Sequence, residues 1–170
     1  MESSFPLVTI IIPSYNHSKW IGDSIESVLH QTYKNIELII VDDGSSDNSK
    51  EVINRYISDS RVKTIYKQKN KGAGHSVNLA LDIAVGKYIS ILPSDDWYLP
   101  EKTKLQVEHF EQLPDSVGVV YGRGLRYFED TCKTEPMQLP MHRGNVLLEI
   151  ISKGNFVYPA SHMIRRSVFE

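Results

Sequence analysis

The chain reads as an α/β domain built on a mainly parallel central sheet with helices on both faces. Three observations predict this. Short apolar runs alternate with segments of helical period, the runs are apolar on both faces, and two of them end in paired acids, Asp42-Asp43 and Asp95-Asp96. Strands buried on both faces belong to parallel sheets covered by helices. Carboxylates at strand C-termini point to the edge where open α/β folds bind ligands.

Taken in order, Val8–Ile12 reads as a buried strand stopped by Pro13. Over Trp20–Gln31, Ile21, Ile25, Val28 and Leu29 repeat at the spacing of one helical face, with Ser18 as the N-cap candidate. Ile36–Val41 is the second strand, and Ser46–Ile57 a helix turning Val52, Ile53, Tyr56 and Ile57 inward. Val62–Tyr66 is the third strand, followed by a small-residue helix, Ser76–Val85, with Gly86 placed as its C-cap. Tyr88–Leu92 is the fourth strand. Leu99–Leu113 is a helix with Pro100 at its first position, ending before Pro114, and Val117–Tyr121 is the fifth strand. Residues 122–144 read as irregular or antiparallel, Asn145–Ser152 as one short helix, and Met163–Val168 as the start of a further element. One domain is expected over 1–170. Its first part, 1–121, is the ligand-binding half, and 122–170 begins a second half expected to be incomplete.

At 170 residues one such domain can bury a sizeable core. The net charge of −2 and scattered lysines supply no basic field for nucleic acid. The single cysteine, Cys132, rules out an intramolecular disulfide and suits a reducing compartment. Without a positioned base it is expected to be inert. No apolar run nears the roughly 20 residues needed to span a bilayer, and Met1-Glu2-Ser3-Ser4 lacks signal-peptide character. A cytoplasmic location is expected, in which the sequon Asn16-His17-Ser18 goes unused.

Adjacent like charges repel, and a divalent cation offsets that cost. Ser94-Asp95-Asp96 therefore suggests a Mg²⁺ or Mn²⁺ site, since such ions take one or two protein carboxylates and leave the rest to substrate phosphates. The bland alternative is an N-cap for the following helix, which accounts for one acid rather than two. Asp42-Asp43-Gly44-Ser45 offers carboxylates to the donors of a base or ribose, although Asp-Gly-Ser is also ordinary turn chemistry. A calcium loop fails because position 12 from Asp43 is Asn54. In Pro13-Ser14-Tyr15-Asn16, the tyrosine can stack on a nucleobase or cover the next helix. Asn70-Lys71-Gly72-Ala73-Gly74-His75-Ser76 superficially resembles a dinucleotide fingerprint. The third glycine position is Val77 and the motif follows strand three, which argues against that reading. A loop opening a helix can still favour a phosphate or ribose, or it can be a linker. His17, His30, His75, His109, His142 and His162 form no metal-spaced cluster, and His109 reads as a helix-surface residue. His162 is placed to approach the sheet edge as a ligand contact. Trp97 and Tyr98 suggest either a sugar pocket or packing on the next helix. These residues describe a metal-assisted, nucleotide-using enzyme domain.

In this order and spacing, Pro13-Ser14-Tyr15-Asn16, Ser27-Val28-Leu29-His30-Gln31-Thr32-Tyr33, Val41-Asp42-Asp43-Gly44-Ser45-Ser46-Asp47, Asn70-Lys71-Gly72 and Ser94-Asp95-Asp96 resemble the family 2 glycosyltransferases. The resemblance covers nearly the whole chain. It implies the GT-A fold, a nucleotide-sugar donor (usually a UDP-sugar), a saccharide or lipid-linked acceptor, a divalent cation, and inversion at the anomeric carbon. Peripheral membrane association of a longer protein fits such an acceptor. By position, Pro13 and Tyr15 would border the uridine and Asp43 would hold the uracil with Asp42 nearby. Asn16, Asn70 and Gly72 would complete the nucleotide site, Asp95 would meet the ribose or donor sugar, and Asp96 with Asp95 would hold the cation. Ser76-Val77-Asn78 stands where the family often has Ala-Arg-Asn, so a basic donor contact is expected to be missing. The family's general base lies in a later acidic motif, expected beyond Glu170, and weak or absent turnover is expected without it. A nucleotide-sugar-binding module without activity is the alternative. A nucleotidyltransferase would carry a Gly-rich basic loop where Ser14-Tyr15-Asn16-His17 stands.

Overall fold

A computed structural model describes residues 5–153 and 157–170. Its central sheet is built from β1 (Val8–Ser14), β2 (Ile36–Asp42), β3 (Val62–Tyr66), β4 (Tyr88–Ile91), β5 (Val119–Tyr121) and β8 (His162–Arg165). The strand order is β3-β2-β1-β4-β8-β5. The pairs β1–β2, β2–β3 and β1–β4 are parallel. Strand β8 enters between β4 and β5, antiparallel to both. Met163–Val168, read as the beginning of a further element, therefore divides between the interior strand β8 and a short 3₁₀ turn over Arg166–Val168.

Both faces are covered, as the doubly apolar strands require. Alternate residues of β1 and β2 point to opposite sides. Ile10, Ile12, Leu38 and Ile40 pack with helices α1 (Ile21–Leu29), α2 (Ser49–Asn54) and α4 (Lys102–Phe110). Ile11, Ile39 and Val41 pack on the other side with Ala80 of α3 (Ala73–Leu81). An antiparallel hairpin of β6 (Leu125–Phe128) and β7 (Lys133–Pro136) follows β5. Helix α5 (Leu147–Lys153) then precedes β8.

The helix ends differ from expectation, for reasons of hydrogen bonding. Helix α1 is capped at Trp20 without a side-chain bond; Ser18 stands two residues before that cap, and its N–H donates to Asp47 Oδ2 at 2.9 Å. Helix α2 starts at Ser49 because Asp47 Oδ1 binds Ser49 N and Oγ at 3.0 and 2.6 Å, keeping Ser46–Asn48 outside it. Ile57 lies beyond that helix and is exposed. Helix α4 is capped at Glu101, so Pro100 precedes it. Helix α3 ends at Leu81 with Asp82 as C-cap. Gly86 instead passes against β1, where an added Cβ would sit 2.5 Å from Thr9 N, and its own N–H donates to Thr9 Oγ1 at 3.0 Å.

Candidate functional site

The chain runs from β1 outward through β2 to β3, then crosses back to place β4 on the other side of β1. Open α/β sheets bind ligands in the crevice outside the C-terminal strand ends at such a reversal, here those of β1 and β4. The loops around it are tied together. His17 Nδ1 lies 2.7 Å from Ser94 Oγ, joining the loops after β1 and β4. Asn16, at φ 54°, receives the Ser46 N–H on Oδ1 at 2.8 Å and gives its own N–H to Ser45 Oγ at 2.9 Å. Asn16 thus braces the turn after β2.

That turn carries the first acidic pair, both members buried. Asp42 stands in register with Ser14, and the Asp43 N–H donates to Ser14 O at 2.8 Å. Asp42 Oδ1 accepts from Ser45 N at 3.0 Å. Among the described residues its Oδ2 and Ser14 Oγ are buried without a hydrogen-bond partner, an arrangement that costs energy until a donor arrives. Asp43 is differently placed. It forms a buried ion pair with Lys67 and accepts from Lys71 N at 2.9 Å. Burial works against its charged form, but Lys67 and the loop N–H groups outweigh that and hold its pKa below the ordinary value. Gly44, at φ 78°, lets the loop after β3 close in, since a Cβ there would sit 2.9 Å from Lys69 N. Asn70 caps that loop by accepting the Gly72 N–H at 2.9 Å, and Gly72, at φ 89°, faces open space at the start of α3.

The second acidic pair is open. Asp95 is exposed and Asp96 half-buried, and neither has an ion-pair partner among the described residues. Asp96 Oδ1 accepts from Tyr158 Oη at 2.7 Å. Burial pushes the Asp96 pKa up, the Tyr158 hydrogen bond pulls it down, and the Asp95 charge raises it further; the net direction is upward. Among the described residues no three His, Cys, Asp or Glu side chains gather to cage a cation by themselves. Two adjacent carboxylates without a counter-charge do fit Mg²⁺ or Mn²⁺ held mainly through phosphate oxygens.

Other expected site residues divide. Tyr15 is exposed beside the crevice, and Pro13 is half-buried in β1, paired with Val41. Trp97 is exposed and meets Tyr127 of the hairpin edge-on at 5.3 Å, whereas Tyr98 is buried with its hydroxyl 2.8 Å from Ser90 Oγ. Tyr98 is thus a core residue rather than a pocket wall. His162 begins β8 opposite Tyr121, at the rim end, with its carbonyl bonded to Ser90 and Lys102. Cys132 is free and exposed. Sequence reasoning missed His17, Lys67 and Tyr158. Lys67 was the most accessible of them, as a basic residue immediately after a strand whose neighbour ends in two acids.

The Glycosyl transferase family 2 model matches residues 9–170. Among curated relatives, the Escherichia coli enzyme UDP-Glc:alpha-D-GlcNAc-diphosphoundecaprenol beta-1,3-glucosyltransferase WfaP is 47% identical over 105 residues, 62% of this chain and 41% of its own. Glycosyltransferase GlyG of Streptococcus pneumoniae is 34% identical over 124 residues, 72% of this chain and 40% of its own. The chain spans less than half the length of these two relatives. Among solved structures, Staphylococcus aureus TarS in complex with UDP superposes with a TM-score of 0.77 at 21% identity, over 95% of this chain and 47% of its own. The mannosyltransferase PcManGT from Pyrobaculum calidifontis, in complex with GDP-Man and Mn²⁺, gives 0.68 at 17%, over 98% and 46%. These two likenesses speak to the fold alone. Together with the family match, they place this chain among the family 2 glycosyltransferases, with the GT-A fold.

Proposed function

We propose that this domain moves a sugar from a UDP-sugar to an acceptor hydroxyl, with inversion and with a divalent cation, in polysaccharide or glycoconjugate synthesis. The observation that carries the reading is that β1, β2 and β4 run parallel and end on one rim, with one acidic turn neutralised and the other not. The choice of UDP is supported by the names of two relatives, one using UDP-Glc and one holding UDP. The first of these also names a lipid-linked acceptor, and we extend that class to this chain. No helix among the described residues is long and apolar enough to cross a membrane. We also propose that the domain is cytoplasmic and meets its acceptor at the membrane surface.

In this reading Tyr15 and Pro13 border the uridine, and Asp43 accepts from the base through its remaining oxygen. Asp42 Oδ2 takes a further donor. Asn16 holds the turn that presents them, and Asn70 and Gly72 line the approach to the nucleotide. Asp95 meets the ribose or donor sugar, and Asp96 with Asp95 holds the cation. When bound, the cation neutralises charge developing on the leaving diphosphate. The acceptor oxygen attacks the anomeric carbon from the face opposite the diphosphate, the bond to the phosphate oxygen breaks, and the configuration inverts. A base takes the acceptor proton.

A thermal-shift panel of UDP, GDP and dTDP, each with and without Mn²⁺, tests the binding half of the proposal. UDP with Mn²⁺ is expected to give the largest stabilisation, and Asp96→Ala to abolish the metal-dependent part. Equal shifts with and without Mn²⁺ would defeat the cation assignment.

A further inference from the structure

The main chain of Asp96 is fixed on both sides. Its N–H donates to Pro93 O at 3.1 Å, and its carbonyl accepts from Ser24 Oγ at 2.6 Å. The carboxylate is held differently. Among the described residues, the Tyr158 hydroxyl at 2.7 Å makes the sole side-chain hydrogen bond to either acid of the Asp95-Asp96 pair. Tyr158 is itself anchored. Its carbonyl accepts from Ser161 N at 2.9 Å and Ser161 Oγ at 2.7 Å. The Ser161 carbonyl in turn accepts from Gln106 Nε2 at 2.6 Å, tying the turn to α4. The ring lies against the backbone after β5, where a Cβ on Gly124 would come within 3.4 Å of it.

We infer that Tyr158 is a positioning residue for the cation site: its hydroxyl occupies Asp96 Oδ1 and fixes the carboxylate so that Oδ2 is presented to a divalent cation. A neutral hydroxyl suits this task. It donates one hydrogen bond, adds no positive charge to compete with the cation, and leaves the second oxygen open. Partners that orient a metal ligand without touching the metal are commonly worth about 10–100-fold in affinity. The inference rests on the cation site proposed above and deepens it. Through Tyr158, the chain beyond β5 reaches the donor cation, so movement of that segment would change cation affinity.

The test is Mn²⁺ binding by electron paramagnetic resonance, with UDP present, on the parent, Tyr158→Phe, Tyr158→His and Tyr88→Phe. Tyr88 supplies the control, because its hydroxyl also meets a carboxylate, that of Glu111, away from the crevice. Tyr158→Phe is expected to weaken Mn²⁺ binding about tenfold or more, leaving UDP affinity in EDTA and the melting midpoint unchanged. Tyr158→His, which keeps a ring donor, recovers part of the loss, and Tyr88→Phe binds Mn²⁺ as the parent does. Mn²⁺ affinity in Tyr158→Phe within about twofold of the parent overturns the inference while leaving the cation site standing. Equal weakening in both Tyr158 variants together with lowered melting points marks a purely structural role and also overturns it. A parent that binds no Mn²⁺ removes both the site and the inference.

Discussion

The two acidic turns occupy equivalent places after β2 and β4, yet their surroundings are opposite. Asp42 and Asp43 are buried, and Asp43 is neutralised by Lys67 and by loop N–H groups. Asp95 and Asp96 have no cationic partner among the described residues, and Asp96 accepts a hydrogen bond from a tyrosine. Paired acids at a strand end therefore do not define one kind of site. A carboxylate whose charge the protein already balances can accept from a neutral donor such as a nucleobase N–H. An unbalanced pair invites an external cation. The turn after β2 suits recognition, and the turn after β4 suits metal.

This contrast can be broken by mutation. The largest stability effect is expected from Asp43→Ala, which leaves Lys67 buried and unpaired. Breaking such a pair costs about 3–5 kcal/mol, read from urea denaturation midpoints. Asp96→Asn should leave the fold intact, because the amide still accepts from Tyr158, while UDP binding loses its dependence on Mn²⁺ in calorimetry. If Asp43→Ala were neutral, the supposed balance after β2 would be wrong.

Acid sensitivity sharpens the comparison, because the two turns respond with opposite signs. The Asp43 pKa is depressed in the fold, and that of Asp47 falls to about 2 through bonds from Ser49 and Ser18 that outweigh burial. Their contribution is complete above the unfolded value of about 3.9 and is lost as pH falls below it. The Asp96 pKa is raised, so its ionisation costs stability as pH climbs from about 4 through the folded value. In EDTA, the stability gap between parent and Asp43→Asn should narrow on acidification. Asp96→Asn should gain on the parent as pH rises. Urea midpoints across that range give both slopes.

The smallest effect expected is from Asn16→Ala, which removes the two hydrogen bonds that Asn16 accepts from Ser46 N and Oγ and strains a backbone at φ 54°. About 1–2 kcal/mol is expected, with UDP affinity falling more than Mn²⁺ affinity because the brace serves the turn after β2.

The parallel half was legible because burial on two faces writes itself into composition: every residue of Ile36–Asp42 is buried, and the apolar run shows it. The shared rim of the two acidic turns was legible for the same reason, since parallel strands end on one side of a sheet. Helix starts were less so. Asp47 and Ser18 satisfy each other across loops, and nothing local distinguishes that from ordinary capping. The insertion of β8 was hidden because His162–Arg165 is four residues long and its partners are distant in sequence. Tyr158 was hidden likewise: its only signal is a contact with Asp96, 62 residues away.

The most direct test is a crystal structure with UDP and Mn²⁺. The uracil is expected against Tyr15 with its N–H donating to Asp43, and Mn²⁺ is expected to be held by Asp96 with Asp95. UDP seated away from the β1–β4 crevice, or Mn²⁺ bound without contact to Asp95 or Asp96, would contradict this assignment.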